Sequence, residues 1–233
     1  IQLKEYKPAL DAVDRALKLT PNSYPLLYMK GNICLYLNDL VQAESMFKAM
    51  TRVQSRSQEA MFGLAKIAVL QGDFAKAEEY MSQAEKLDPA NYLTYCRLGD
   101  LHREMKLERQ SAADYISAFC LNNSSERPMA AMIDLALVNY PAAAEAIDYA
   151  LSHTGNTVPL YFLKGNIALT NGHYSDAYEA YRHLTDNKET ATVTLAPAMA
   201  KICLGLGHLR EADDYANQAL KASNNEMNNL TKA

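Results

Sequence analysis

Histidines are the residues of this 233-residue sequence that are best suited to acid–base catalysis or metal binding. Two of them, His173 and His208, stand at the same point of two similar stretches, each beside a turn signal. A turn position that recurs in this way is more often solvated than catalytic. The remaining histidines are His102, His153 and His183. We therefore predict no catalytic site and no enzymatic activity for this chain.

The cysteines and the adjacent carboxylates support the same interpretation. No cysteine belongs to a CxxC motif, and the nearest two, Cys96 and Cys120, are 24 residues apart. Each cysteine lies in an apolar helical pattern, so we expect buried free thiols of a reducing compartment rather than disulfides or zinc ligands. The pairs Glu78–Glu79 and Asp213–Asp214 are interpreted as solvated carboxylates on helix surfaces. We expect no metal and no cofactor.

The composition indicates a helical globular protein. Hydrophobic residues make up 49% of the chain and charged residues 21%, close to the average for globular domains. Ala and Leu are abundant, whereas stretches rich in Val, Ile and Thr are scarce, which favours helices over strands. The net charge of −4 disfavours a nucleic-acid partner. No run of about 18 apolar residues is present, so we expect no membrane insertion.

The sequence repeats itself with a period close to 34 residues. The stretch Pro25–Ile33 returns as Pro159–Ile167 at an offset of 134 residues. A small residue, followed by packing residues four and seven positions later, marks one helix of every unit. These small residues are Ala43, Ala77, Ser111, Ala143, Ala177 and Ala212. A second series marks the preceding helix, where a small side chain lets two helices approach closely: Gly31, Ala65, Gly99, Ala131, Gly165 and Ala200.

These features resemble the tetratricopeptide repeat family, whose unit of about 34 residues is a helix–turn–helix. The first half of the family pattern is matched at Tyr95, Leu98 and Gly99. The second half is matched at Ala77, Met81, Ala84 and Pro89. The resemblance covers about residues 1–226 and implies an all-α fold, a right-handed superhelical solenoid of antiparallel helix pairs. An irregular helical bundle is the alternative.

The period divides the chain into a half unit and six full units. Residues 1–23 are predicted to form the second helix of a truncated repeat, and residues 24–226 to contain six repeats. The repeats span 24–57, 58–91, 92–125, 126–157, 158–191 and 193–226. The fourth is degenerate, because it is two residues short and turns at Asn139-Tyr140-Pro141. Residues 227–233 are expected to form a polar tail or the start of a capping helix.

The resemblance also predicts where a ligand would bind. In the family, the first helix of each unit lines a concave groove, and residues at i and i+4 on that helix share one stripe. Aromatic, amide and charged side chains on this stripe would suit a peptide segment. Cys96 and Pro197 fall in the same register. The groove residues predicted in this way are Tyr28, Asn32, Tyr36, Phe62, Lys66, Asp100, Arg103, Phe162, Asn166 and Lys201.

Two asparagines of this stripe have counterparts in the family. Asn32 and Asn166 fall where chaperone-binding members keep an asparagine that grips a peptide backbone or carboxylate. Those members place a lysine four residues earlier, where this chain has Tyr28 and Phe162. A carboxylate clamp of that kind is therefore disfavoured. The alternative for Tyr28, Phe62 and Phe162 is that they only pack between adjacent helices.

The resemblance implies a non-catalytic scaffold that binds a protein or peptide segment in its groove. The alternative is the regulatory or assembly region of a larger protein, such as a signalling or transcription regulator, with a capacity to form homo-oligomers. RNA-reading helical repeats have a similar length, but the acidic charge and the few arginines on the stripe disfavour them. We expect a cytoplasmic location. A periplasmic location stays open, because a chain that begins at Ile1 looks like a fragment.

Overall fold

The structure is a computed structural model that describes residues 3–185 and 189–230, with side-chain environments over 6–185 and 194–223. Within these residues it contains thirteen α-helices and no β-strand, which confirms the all-α prediction. The chain separates into two compact units, residues 1–122 and residues 123–233. We call them unit 1 and unit 2 and describe each by itself.

Unit 1 contains the first seven helices. They are α1 (Leu3–Leu19), α2 (Tyr24–Tyr36), α3 (Leu40–Val53), α4 (Gln58–Gln71), α5 (Phe74–Leu87), α6 (Tyr92–Glu104) and α7 (Glu108–Leu121). Turns of two or three residues join α2 to α3, α4 to α5, and α6 to α7, so each pair is a helical hairpin. The first helices of the three hairpins, α2, α4 and α6, contact one another in that order and form one layer.

Unit 2 contains the remaining helices of the described chain. They are α8 (Glu126–Val138), α9 (Tyr140–His153), α10 (Val158–Thr170), α11 (Tyr174–Thr185), α12 (Glu189–Leu206) and α13 (Leu209–Leu230). The polar tail predicted from residue 227 is helical as far as Leu230, and residues 231–233 lie outside the described part. None of the helices described is both long and apolar enough to cross a membrane.

Five hairpin turns share one backbone feature. Each contains a residue with a positive φ between 59° and 79°, which reverses the chain after the first helix. Glycine adopts this conformation without steric strain, whereas other residues are strained there. The residues are Asn38, Gly72, Lys106, Gly172 and Gly207. In unit 1 the carboxylates of Asp39 and Asp73 follow the turn and cap the second helix by accepting bonds from the Gln42 and Lys76 amides.

The hairpin of α8 and α9 lacks that feature. A single residue, Asn139, ends α8 and caps α9, where its side chain accepts a hydrogen bond from the amide of Ala142. Pro141 stands in the first turn of α9, where its missing N–H leaves no intrahelical bond unmade. The shortened connection lies at the point where the sequence pattern is degenerate.

Small residues of the first helices let aromatic rings of the second helices pack against the backbone. A Cβ added to Gly165 would lie 2.2 Å from the Tyr181 ring, and one added to Gly99 would lie 2.5 Å from the Tyr115 ring. A Cβ on Gly31 would meet the Phe47 ring at 2.9 Å. These three rings are fully buried, so each hairpin depends on the missing side chain of its glycine.

Candidate binding surfaces

The first helices of unit 1 surround an open cavity of about 160 Å³. Tyr28 and Asn32 reach it from α2, and Phe62 and Lys66 reach it from α4. Phe62 is only 8% exposed and forms an apolar floor, with the Phe47 ring from α3 behind it. Four of the predicted groove residues therefore lie together.

Arg97 of α6 is a cavity residue that the sequence analysis missed. Its guanidinium carbon lies 5.3 Å above the centre of the Phe62 ring, a cation–π arrangement. Among the described residues no carboxylate pairs with it. Arg97 stands two positions before Gly99, whereas the predicted stripe used the positions three before and one after. The available signal was the spacing of 35 residues between Phe62 and Arg97, which brings equivalent faces of successive hairpins together.

The charged residues next to this cavity are engaged with one another. Lys66 forms an ion pair with Glu104 of α6. Asp100, Arg103, Glu104 and Lys106 line a second open cavity of about 410 Å³. Asp100 and Arg103 therefore lie beside the first cavity, in a shallow depression of mixed charge.

Asp100 is held from behind by a buried tyrosine. The Tyr115 hydroxyl donates a hydrogen bond of 2.8 Å to Oδ1 of Asp100. Burial, followed by this carboxylate neighbour, raises the pKa of Tyr115 well above its usual range. The phenol is therefore a permanent donor at neutral pH, and it fixes the orientation of the Asp100 side chain.

Two predicted positions of unit 1 do not contribute to these cavities. Tyr36 is 68% exposed at the end of α2 and stacks on Tyr6 of α1, with ring centres 5.1 Å apart. Cys96, which shares the stripe register, is fully buried. The register alone does not separate groove positions from core positions, because a neighbouring helix covers part of the same face.

Unit 2 brings two of its three predicted residues together. Phe162 is 40% exposed on α10, and its ring lies 6.3 Å from the ring of Tyr181. The Tyr181 hydroxyl donates a 2.8 Å hydrogen bond to Oδ1 of Asn166, one turn further along α10. Burial raises the pKa of Tyr181 to about 12. Lys201 is exposed on α12, and within the described chain no hydrogen bond or ion pair joins it to Phe162 or Asn166.

The repeated Lys-Gly-Asn triplet sends its three residues in three directions. Lys30 pairs with Asp14 of α1 at 2.7 Å, and Lys164 pairs in the same way with Asp148 of α9 at 2.5 Å. The glycine admits the aromatic ring of the following helix, as described above. The asparagine points to the candidate surface. The lysine therefore ties the first helix of a hairpin to the helix before it.

The histidines differ between the two units. His102 of unit 1 lies between Asp114, 2.5 Å from Nδ1, and Glu78, 3.1 Å from Nε2. Burial disfavours its charged form, but these two carboxylates outweigh burial and raise the pKa of His102. The four histidines of unit 2 each lie against a tyrosine ring. His173 and His208 stand exposed in hairpin turns, where the sequence placed them.

The cysteines and acidic residues give no metal centre in the part of the chain that is described. No three His, Cys, Asp or Glu side chains lie close enough together there to hold an ion. Cys34, Cys96 and Cys203 are buried, as expected from their apolar patterns. The expectation was wrong for Cys120, which is exposed near the end of α7.

Comparisons with known proteins give the same result for both units. Profiles of the tetratricopeptide repeat match residues 28–92 in unit 1 and residues 158–190 in unit 2. A thermophilic tetratricopeptide repeat protein of Thermus thermophilus has a similar structure, with a TM-score of 0.52 and 19% identity, over 72% of this chain and 91% of that one. No curated protein matches the chain by sequence.

A second similar structure is that of yeast Tom70, with a TM-score of 0.51 and 16% identity. The match covers 89% of this chain and 43% of Tom70. At such identities the likeness shows a shared fold. The helical hairpins, the two matched segments and this shared fold identify the chain as a tetratricopeptide repeat protein.

Proposed function

We propose that this chain is a non-catalytic scaffold that binds a segment of another protein on the α2–α4–α6 face of unit 1. The observation that carries the proposal is the cavity lined by Tyr28, Asn32, Phe62 and Arg97. Helical repeat proteins use such faces as extended binding surfaces. A face of this kind recognises a chain segment by combining apolar floor area with a few oriented polar groups.

The chemistry of the cavity favours a peptide segment as the ligand. The Phe62 ring and the partly exposed Tyr28 ring offer apolar area to a side chain. Arg97 holds five N–H donors over that area, and its charge is not balanced by a paired carboxylate within the described residues. A carbonyl or carboxylate group of the segment would bind there. Cation, amide and aromatic groups bind and orient a ligand, which supports a binding role rather than catalysis.

Selection of peptides from a random display library on the immobilised full chain tests this proposal. We expect selected peptides whose affinity falls at least tenfold in Arg97→Ala, because the guanidinium that faces the cavity is lost. Arg52→Ala is the matched control, since Arg52 is exposed on α3, away from the cavity. Equal affinity of wild type and Arg97→Ala, or a library that yields no binder, would contradict the proposal.

The remaining predicted positions extend the proposal to unit 2. Phe162 and Asn166 present an aromatic ring and an amide next to each other, as Tyr28 and Asn32 do in unit 1. A triple replacement of Asn32, Lys66 and Asn166 by alanine tests whether one segment uses both units. We expect a larger loss of affinity than for Asn32→Ala and Lys66→Ala together. An equal loss would restrict the site to unit 1.

Self-association is a second candidate function, favoured by apolar side chains on the last helix pair. Leu204, Leu209 and Leu220 are each more than 60% exposed. Exposed apolar residues of this kind on the last helices could pair with a second copy. Sedimentation over a hundredfold range of concentration tests it. A purely monomeric chain at the highest concentration would rule it out.

We also propose a reducing compartment such as the cytoplasm as the location. Three buried thiols at Cys34, Cys96 and Cys203 support this, because they pack as small apolar side chains. Alkylation of the unfolded protein from its native cells should label all four cysteines without prior reduction. Labelling that requires a reductant would contradict the location.

A further inference from the structure

We infer that the two Lys-Gly-Asn triplets offer different hydrogen-bonding groups to a bound segment, and that the residue 15 positions after each asparagine decides which group is offered. Asn32 keeps its carbonyl oxygen open as an acceptor, because Phe47 stands behind it. Asn166 has its carbonyl oxygen bound by Tyr181 and offers its N–H donors. The contact with a segment rests on the proposed function, whereas the two hydrogen-bonding states do not.

The state of Asn32 follows from its local partner. Its Nδ2 donates a 2.9 Å hydrogen bond to the main-chain carbonyl of Tyr28, an atom that can only accept. Asn32 lines the cavity of unit 1. The ring behind its hairpin, Phe47, has no polar atom that could bind Oδ1. The Oδ1 acceptor of Asn32 is therefore left for a donor of the ligand, such as a backbone N–H.

The state of Asn166 follows from the buried phenol behind it. Tyr181 donates its proton to Oδ1 of Asn166 at 2.8 Å. Tyr115 stands in the same relation to Asp100, whose carboxylate can only accept, so the phenol is the donor at this position of the hairpin. Burial keeps Tyr181 protonated by raising its pKa to about 12. The direction of the Tyr181–Asn166 hydrogen bond is thus set.

The free end of Asn166 points outward. Its Nδ2 donates to no side chain or carbonyl of the described chain. Every buried side-chain nitrogen and oxygen described has a hydrogen-bond partner, so this nitrogen is accessible to solvent. It is placed to donate to a carbonyl oxygen of a ligand. The two asparagines would therefore read opposite sides of peptide groups.

The same offset of 15 residues holds where the groove residue carries no oxygen. Lys66 is followed 15 positions later by Met81, whose side chain is buried and cannot donate a hydrogen bond. Lys66 instead pairs sideways with Glu104. Tyrosine thus stands behind Asp100 and Asn166, which can accept its proton, and Phe47 is the exception behind Asn32. Tyr181 and Phe47 are the positioning residues for the two amides.

Reciprocal substitution tests the inference through the side-chain amides themselves. In full-length protein labelled with ¹³C and ¹⁵N at asparagine, the ¹³Cγ resonance reports the hydrogen bond accepted by Oδ1. Tyr181→Phe should move the Asn166 ¹³Cγ resonance upfield and leave that of Asn32 in place. Phe47→Tyr should move the Asn32 resonance downfield and leave that of Asn166 in place. Asn32→Ala and Asn166→Ala assign the two signals.

The outcome that would overturn the inference is an unchanged Asn166 resonance in folded Tyr181→Phe, or an unchanged Asn32 resonance in folded Phe47→Tyr. If one variant does not fold, the other decides alone. The selected display peptide then gives the functional measurement. Phe47→Tyr should weaken its binding severalfold by occupying the Asn32 acceptor. Unchanged binding with shifted resonances would remove the ligand contact but keep the hydrogen-bonding states. Loss of the Arg97→Ala effect would instead contradict the proposed function.

Discussion

The hairpins α2–α3 and α10–α11 start from almost the same nine residues and still present different surfaces. In both, lysine pairs with the preceding helix and glycine admits an aromatic ring. The ring is Phe47 in one hairpin and Tyr181 in the other, and only the tyrosine binds the exposed asparagine. A repeated motif therefore fixes helix packing, while a residue on the next helix sets the chemistry of the surface.

The largest expected difference between the two hairpins is in their tolerance of a methyl group at glycine. A Cβ at Gly165 would lie 2.2 Å from the Tyr181 ring, and one at Gly31 would lie 2.9 Å from the Phe47 ring. Gly165→Ala should lower the free energy of unfolding by about 3 kcal/mol, because overpacking of a buried ring costs on this order. Gly31→Ala should lower it by about 1 kcal/mol, since a smaller shift relieves the contact. Urea unfolding measures both.

Gly155→Ala is the control for these substitutions. Its Cβ would meet nothing within 4 Å, so its free energy of unfolding should stay within about 0.5 kcal/mol of wild type. Equal losses for Gly165→Ala and Gly31→Ala would show that the two rings are held equally tightly, and the comparison of the hairpins would lose its packing basis.

The next effect concerns the hydroxyl that distinguishes the two rings. Tyr181→Phe should lower the free energy of unfolding by about 1 kcal/mol, the usual net worth of a hydrogen bond. Phe47→Tyr should recover part of that amount in unit 1 if the new hydroxyl reaches Asn32. Thermal and urea unfolding of the two single variants and the double variant measure this exchange. A larger loss for Phe47→Tyr than for Tyr181→Phe would mean that the site behind Asn32 has no room for a hydroxyl.

Acidity should separate unit 1 from unit 2 through His102. The pKa of His102 is raised from its ordinary value of 6.5 by Asp114 and Glu78, against the effect of burial. A raised pKa means that the folded state holds the proton more tightly. The stabilisation is therefore complete below pH 6.5 and is lost as the pH rises through the raised pKa. Unfolding of wild type and His102→Gln across this range measures the difference.

Asp114→Asn serves as the control for that titration. It keeps the size of the side chain but removes the carboxylate nearest to Nδ1 of His102. The stability of His102→Gln relative to wild type should approach zero at high pH, and Asp114→Asn should flatten the same pH dependence. A stability difference between wild type and His102→Gln that does not change with pH would show that this ion pair contributes nothing to unit 1.

The smallest effect is expected at the two lysines of the repeated triplet. The side chain of Lys30 is 15% exposed and that of Lys164 is 25% exposed, while their aspartate partners are half-exposed. Partly exposed ion pairs contribute about 0.5 kcal/mol, less in high salt. Lys30→Met and Lys164→Met should each cost about this amount, with Lys30→Met the larger. Unfolding at low salt and at about 1 M salt tests it. A loss that does not respond to salt would point to packing by the aliphatic stem.

Much of the fold was accessible from the sequence, because it depends on local periodicity. Small residues recur at the helix contacts, and the turn signals at Gly72 and Gly172 coincide with positive φ angles. The pairing of Tyr28 with Asn32 at one cavity was also within reach, since i and i+4 share a helix face. These relations lie within one helix or one hairpin, where residue type and spacing decide the geometry.

The surface was less accessible, because it depends on which neighbouring helix covers each position. Cys96 shares the register of Tyr28 and Phe62, but it is buried against the core. Tyr36 is turned to a stack with Tyr6, and Arg97 enters the cavity from a position outside the stripe. Helix spacing predicts a face of about 100°. It does not predict how much of that face the next hairpin leaves open.

Residue types and their spacing were enough to establish an all-helical chain of repeated hairpins, its tetratricopeptide character, and the small residues on which the packing depends. Contacts between helices determine which polar tips are available. Asn32 and Asn166 are the same residue in the same triplet, but a phenol 15 positions away binds only Asn166. The physical reason is that hydrogen-bond satisfaction depends on the contacts of a side chain with the next helix, whereas helix formation depends on the order of residues along one segment.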